Sequence, residues 1–238
     1  MSESSAAFFT ALDARLDRYD LLKHAYYQAW SAGELTREDL REYAAEYWHH
    51  VAAFPAYLSA LHSRLPEGKL RRMVAGNLAD EEGLAHGDVA HSEMWMDFAR
   101  GMGAEESEVR ERKLGAETQA LLEHFRAAMM VAANGSAAAA LAALYAYESR
   151  VPAIAQTKAD GLARHYKTDE ATRRYFTVHT SADVHHARVW REAIAAELAA
   201  HPEQAEAALA AGEAAARRLW ETLDGMERGR QARLAAAA

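Results

Sequence analysis

The sequence predicts an all-α fold. Strand signals are nearly absent, because no segment alternates apolar and polar residues with β-branched side chains. Apolar residues recur instead at helical spacing along the whole chain. Composition agrees: 57 of 238 residues are Ala, only 4 are Pro and 50% are hydrophobic, a mixture that favours helix.

Helices are expected at about 6–17, 20–32, 37–64, 69–82, 89–102, 105–133, 136–149, 152–166, 169–200 and 202–228. Thr36 and Asp39 form a near capping box for the third helix. Pro55 should kink or break that helix and Pro66 ends it, with Pro66–Lys69 as a turn. Asn134-Gly135 stops one helix and Ser136 caps the next. Pro152 fits a first turn, where a missing N–H costs nothing. His201-Pro202 is the last boundary. Short loops make 1–200 one helical domain. The Ala-rich 201–238 segment is expected to be a helix packed on one face, then fraying, and suited to packing across a homodimer.

Charge and composition exclude whole classes of function. With 27 basic against 35 acidic side chains, the net charge of −8 argues against nucleic-acid or anionic-membrane partners. No apolar run reaches the roughly 18 residues of a membrane span. No basic region precedes the first apolar residues, so no signal peptide is expected and the cytoplasm is the expected location. The absence of Cys rules out disulfides, thiolate metal sites and a Cys nucleophile. The 12 His remain, and a Cys-free metal site needs them together with Asp and Glu.

Metal-capable side chains do fall on faces that should be apolar. His179, Asp183 and His186, at i, i+4 and i+7, lie within about 60° on one helical stripe, while His185 points away. Glu148 continues the stripe of Leu141, Leu144 and Tyr145. A buried carboxylate there needs a cation, which Arg150 or a metal could equally supply. Leu70, Val74, Asn77, Leu78 and Glu81 share a third stripe. Gly83 breaks that helix, Asp88 can cap the next, and either His86 or His91 can meet Glu81 at the break. The pooled set holds three carboxylates and three imidazoles, which suits Fe or Mn better than Mg or Ca and exceeds the needs of one metal. The Glu-x-x-His pair of ferritin-like bundles is absent.

Three motifs together carry a resemblance. These are His179-x3-Asp183-x2-His186, Tyr147-Glu148-Ser149 followed by Val151-Pro152, and Asp80-Glu81-Glu82 leading to His91-Ser-Glu-Met-Trp95. The segments around His24–Trp30, Tyr43–Tyr47, Phe54–Arg64 and Ile154–Leu162 add to them, so that the likeness runs from about Leu21 to Trp190. The chain resembles the haem-oxygenase-like di-iron oxidases, and among them the CADD-type self-sacrificing para-aminobenzoate synthases.

The resemblance implies a haem-oxygenase-like bundle of about seven core helices, with a C-terminal helical extension. It implies two transition metal ions, Fe/Fe or Mn/Fe, held by Glu81, His91, Glu148, His179, Asp183 and His186. The spacing from Glu81 to His91 exceeds the family's, which leaves His86 as the alternative. It further implies dioxygen and an external reductant as co-reactants. Tyr27 matches the tyrosine that becomes the product ring, Lys158 the amino donor, and Tyr147 a tyrosine beside the metal. Taken singly, Tyr27 reads as an ordinary half-buried aromatic and Lys158 as a solvated helix lysine. Tyr43 and Tyr47, on one stripe with Leu40, His50 and Phe54, read as core or pocket lining.

Rival readings are a thiaminase-like enzyme, which needs the absent Cys, and a metal-free quinone-forming oxidase, against which the His-Asp-His stripe speaks. A fatty-acid oxidase with the same metal set and a long apolar tunnel is a third. A non-enzymatic helical interaction module is a fourth, but it gives no reason for inner-stripe carboxylates. Haem would need a proximal His, for which His24 is a weak candidate.

Overall fold

Helices α8 (Ala138–Glu148) and α12 (Ala205–Ala237) form the most extensive contact in the protein, and composition explains why. In α8, Ala138, Ala140, Ala142, Ala143 and Ala146 are buried beside Leu141, Leu144 and Tyr145. A helix that is apolar all round belongs at the centre of a bundle. Its small side chains admit close neighbours: a Cβ added at Gly212 of α12 would stand 3.3 Å from the Ala142 carbonyl oxygen. Glu148, the only carboxylate of α8, is 1% exposed at its end.

The computed structural model describes residues 3–84, 89–130 and 137–237. Among them every regular element is helical. Before α8 come α1 (Glu3–Leu16), α2 (Ala25–Ala32), α3 (Arg37–His62), α4 (Lys69–Glu81), α5 (His91–Gly101), α6 (Glu106–Arg110) and α7 (Ala116–Met130). After it come α9 (Val151–His165), α10 (Glu170–His179), α11 (Ala182–Ala200) and α12. Helix α3 packs on α4, α5 and α7, α10 on α5 and α9, and α11 on α8. No helix among the described residues is long and apolar enough to cross a membrane. His86, Asp88 and the expected stop at 134–136 lie outside the described residues.

The predicted punctuation is largely present. Thr36 and Asp39 make a full capping box, and Pro152 sits in the first turn of α9. Several boundaries differ. The segment 20–32 begins with a short 3-10 turn, Leu21–Lys23, because the His24 Nδ1 accepts from the Tyr26 N–H and so starts α2 at Ala25. Helix α3 continues through Pro55, with Phe54, Tyr57 and Leu58 buried around it. The single helix expected over 105–133 is split, as Arg112 binds Glu42 and Glu46 of α3 and the Gly115 N–H donates to Glu46. The helix expected over 169–200 breaks at Thr180–Ser181. The C-terminal helix continues to Ala237 rather than ending near 228, with Arg230 and Arg233 reaching Asp39.

Candidate active site

Glu81 is the last residue of α4, and the chain turns sharply after it. Gly83 has φ +65°, and a Cβ there would meet Val89 and Ala90 backbone at 2.5 Å, so only glycine permits this close return. The return places His91, the first residue of α5, with Nδ1 2.8 Å from Glu81 Oε2. That nitrogen is buried, and it is not aligned for a hydrogen bond with the carboxylate. His179 closes the group. Its ring centroid is 4.4 Å from that of His91. Its Nδ1–H donates to the Tyr175 carbonyl at 2.6 Å, which leaves Nε2 with a free lone pair.

Glu148, Asp183 and His186 form a second buried group. The donor atoms within each trio lie within 4.8 Å of one another. The break after His179 separates the expected single stripe into two short helices, yet all three stripe residues remain buried. Glu148 accepts from Asn77 Nδ2 at 3.0 Å and from Trp190 Nε1. His186 faces Asp183 at 3.3 Å and Asp80 at 3.1 Å. Arg150, the alternative partner for Glu148, binds Asp17 instead.

Electrostatics couple the two trios. Burial, together with the charge of Asp183 and, less, of Glu81, pushes the Glu148 carboxyl up to about 8. Burial opposes charging of His186, but Asp183, Glu148 and Asp80 outweigh it and raise the imidazole to about 10. Burial likewise works against a charged Glu81 and a charged His91, and their mutual proximity prevails, lowering the first and raising the second. His179 is lowered, chiefly by burial.

These residues fit two divalent transition ions. Three buried carboxylates and three buried imidazoles gather in two trios with no Lys or Arg among them. Two divalent ions would leave the set with a net charge of +1 if all three imidazoles were neutral. The mixed nitrogen and oxygen donors suit Fe or Mn.

A second cluster adjoins. Lys158 of α9 is 6% exposed, so the solvated reading does not hold. Its Nζ donates to Tyr27 Oη at 2.7 Å and to Tyr43 Oη at 2.5 Å, and the two phenol oxygens are 2.9 Å apart. The amine also stands 4.2 Å from the Tyr27 ring centroid and 4.7 Å from that of Tyr43. Burial drives its pKa well below the usual lysine value. Helix α9 can approach this closely because of Gly161, whose added Cβ would lie 2.8 Å from Trp30.

A cavity of about 40 Å³ links the cluster to the surroundings of the carboxylates. Tyr27 and Lys158 line it, as do Tyr47, Tyr147 and Tyr175. The Tyr147 phenol interacts with those of Tyr47 and Tyr175 and senses the charge of Asp183. Tyr175 stacks on His179 at 4.0 Å, Trp95 meets Tyr175 at 4.7 Å and Tyr47 at 5.3 Å, and Tyr47 stacks on Tyr43 at 5.5 Å. Aromatic rings therefore run without a gap from the imidazoles to Tyr27.

Three neighbours carry no site signal of their own in the sequence. Tyr43 lines the core as expected, but its hydroxyl also touches Lys158. The only cue to it is a stripe with polar tips at Tyr43, Tyr47 and His50. Asn77 lies on the Glu81 stripe, where a buried amide implies a partner. Asp80 gives no signal apart from its place beside Glu81.

Known proteins resemble this chain in sequence and fold. The model of a family described as iron-containing redox enzyme matches residues 41–220. A 4-aminobenzoate synthase of Nitrosomonas europaea is 38% identical over 230 residues, covering 92% of this chain and 90% of that protein. A 4-aminobenzoate synthase of Chlamydia muridarum is 38% identical over 189 residues, covering 79% of this chain and 78% of that one. A Shewanella denitrificans domain of unknown function with a heme oxygenase-like fold superposes with a TM-score of 0.75 at 17% identity, over 95% of this chain and 93% of the other. The fold is thus haem-oxygenase-like, and the chain belongs to the iron-containing redox enzyme family.

Proposed function

We propose that this protein is a di-metal, dioxygen-dependent 4-aminobenzoate synthase that takes the product ring from its own Tyr27 and the amino nitrogen from Lys158. The observation that carries this reading is the pairing of Lys158 Nζ with Tyr27 Oη at 2.7 Å in a buried cavity. The activity named for its relatives from Nitrosomonas europaea and Chlamydia muridarum supports the same chemistry.

The two trios would hold Fe/Fe or Mn/Fe. Bound there, the ions would supply dioxygen activation and one-electron oxidation, drawing on an external reductant. The remaining work belongs to the chain. Burial disfavours the charged form of Lys158, and its amine stands 4.2 Å from the Tyr27 ring centroid. Tyr43 fixes that amine through its phenol oxygen. Tyr147, Tyr175 and Trp95 form the aromatic path along which an oxidised phenol can be relayed to Tyr27. The apolar walls exclude water that would quench it. Product formation would replace the ring C–O bond by C–N, with the phenol oxygen leaving as water. It would free the nitrogen by two-electron oxidation of Lys158 Cε to an imine, hydrolysed to the aldehyde. It would break the Cα–Cβ bond of Tyr27, Cα taking a hydrogen and Cβ being oxidised to carboxylate, with dioxygen as the oxidant.

Volume weighs against an external ring. A cavity of about 150 Å³ is known to admit benzene, and the one beside Tyr27 is about 40 Å³. A fatty-acid chain would need far more. The ring that fits beside Lys158 is the one already attached to the backbone.

The deciding experiment incorporates isotope-labelled tyrosine into the protein, loads iron or manganese and iron without oxygen, then adds dioxygen and reductant. Label in the 4-aminobenzoate ring, at no more than one product per chain, supports self-sacrifice. Unlabelled product made from an added precursor would replace it with an ordinary di-metal oxygenase.

A further inference from the structure

The cavity beside Tyr27 has a direction. Of its lining residues, Tyr19, Tyr147 and Arg150 keep appreciable exposure. The phenols and amine of Tyr27 and Lys158 form one end, and Tyr19 with Arg150 marks the other, where the cavity meets solvent. Between them the wall is apolar, built by Leu16, Leu21, Ile154 and Leu219 among others. Among the described residues that line the cavity, Arg150 is the cation at this mouth.

Arg150 is also weakly committed. It reaches Asp17 Oδ1 at 2.9 Å and the Asp13 carbonyl at 3.4 Å. The two side chains of the ion pair are 35% and 61% exposed, and exposed pairs of this kind contribute little. A guanidinium has five donors in a planar fork that suits a carboxylate. An apolar passage with one exchangeable guanidinium at its rim matches an aromatic body bearing one carboxylate.

We infer that Arg150 is the carboxylate-recognition residue of this mouth, and that its ligand is an aromatic monocarboxylate, 4-aminobenzoate on its way out. The inference rests on the proposed synthase reading for the source of that ligand, not for the site itself. Once the Tyr27 ring is detached, the space it filled joins the cavity, so the product has room that no external ring has beforehand. Its exit then passes Arg150, which exchanges the Asp17 carboxylate for that of the product.

The test measures equilibrium binding of 4-aminobenzoate, benzoate and aniline to the Tyr27→Ala protein, in which the ring space is vacated. Both acids should bind, and aniline about tenfold more weakly or worse. Adding Arg150→Gln should weaken both acids about tenfold and leave aniline unmoved, the loss expected for a charged hydrogen-bonded contact. Adding Asp17→Asn should tighten the acids, because the competing carboxylate is gone. The unsubstituted chain gives a second measurement: benzoate docks at the mouth more weakly, and Asp17→Asn must strengthen it, a gain that misfolding cannot mimic. Equal affinity for benzoate and aniline, or acid binding indifferent to Arg150→Gln, overturns the proposal. If these affinities hold while labelled tyrosine never reaches product, self-sacrifice fails and the mouth stands.

Discussion

Lys158 Nζ sits 2.7 Å from Tyr27 Oη, and the ion pairs of the described residues do not include it. Burial pushes the pKa of the amine well below the usual lysine value, because desolvation penalises the ammonium and no carboxylate of the described residues pairs with it. The fold thereby favours the uncharged amine against a phenol ring, the form a nitrogen donor requires.

That arrangement predicts a pH signature in stability. The unfolded lysine keeps its proton up to about pH 10.4, while burial makes the folded one lose it at lower pH. Between the two values the unfolded chain binds more protons, so this residue makes stability rise with pH, by up to about 1.4 kcal/mol per pH unit. Lys158→Met removes the slope. The variant should be the more stable protein near neutral pH, with the gap in Tm closing as pH approaches the ordinary lysine value. A gap that stays constant from pH 6 to 10 would show that Lys158 is not desolvated as described.

Chemistry should be lost with little change in fold at three positions. Tyr27→Phe removes one hydroxyl from a three-way cluster, which costs about 0.5–1.5 kcal/mol, and should abolish product while metal content stays normal. Lys158→Met keeps the aliphatic packing but offers no nitrogen, and should also abolish product. Tyr43→Phe leaves donor and ring in place and loosens the amine, so product should fall without vanishing. Product yield per chain and metal content, measured together, check all three. Full yield from Tyr27→Phe would exclude this ring as the source.

Much of this architecture is legible in the amino-acid sequence. Inner-stripe carboxylates at Glu81 and Glu148 stand out because an apolar face has no use for a charge. The helical punctuation follows from Thr36, Gly83 and Pro152. What escapes depends on distant partners. The break at 111–115 is imposed by contacts from α3, and neither it nor the break at Thr180–Ser181 has a strong local stop signal. Lys158 looks solvated by type, and the approach of distant helices, among them α2 and α3, buries it. Tyr43 differs from any core tyrosine solely by the amine it meets, 115 residues away in sequence.

Glu148 should depend on its two donors. Trp190 and Asn77 hold its carboxylate oxygens, and such outer partners commonly tune metal affinity by about 10–100-fold. Trp190→Phe keeps the packing and removes one donor. Asn77→Leu removes the other. Each should weaken metal binding in a competition titration while leaving the helical signal intact. Metal affinity unchanged in both would mean that Glu148 is oriented by other contacts.

The metal set itself makes the broadest prediction. Each trio is buried and has a donor set suited to a transition ion, so the purified protein should carry close to two ions per chain after metal-replete growth. His179→Ala and Asp183→Ala strike different trios and should each lower metal content sharply. His185→Ala, on the exposed side of α11, should not. Loss of a ligand also leaves its buried neighbours' charges uncompensated, so stability should fall with the metal. The pH dependence has a definite sign. Without metal, Glu148 is raised to about 8 by burial and neighbouring carboxylates, and His186 to about 10 by Asp183, Glu148 and Asp80 against burial. Both therefore carry protons at neutral pH and must release them to bind an ion. Metal affinity should rise from pH 6 to 9, with protons released on loading, as read by calorimetry in buffers of different ionisation enthalpy. Affinity that is flat over this range, with no proton release, would show that these two residues are not ligands. Equal metal loss in His185→Ala would remove the geometric basis for choosing His179 and His186 over His185.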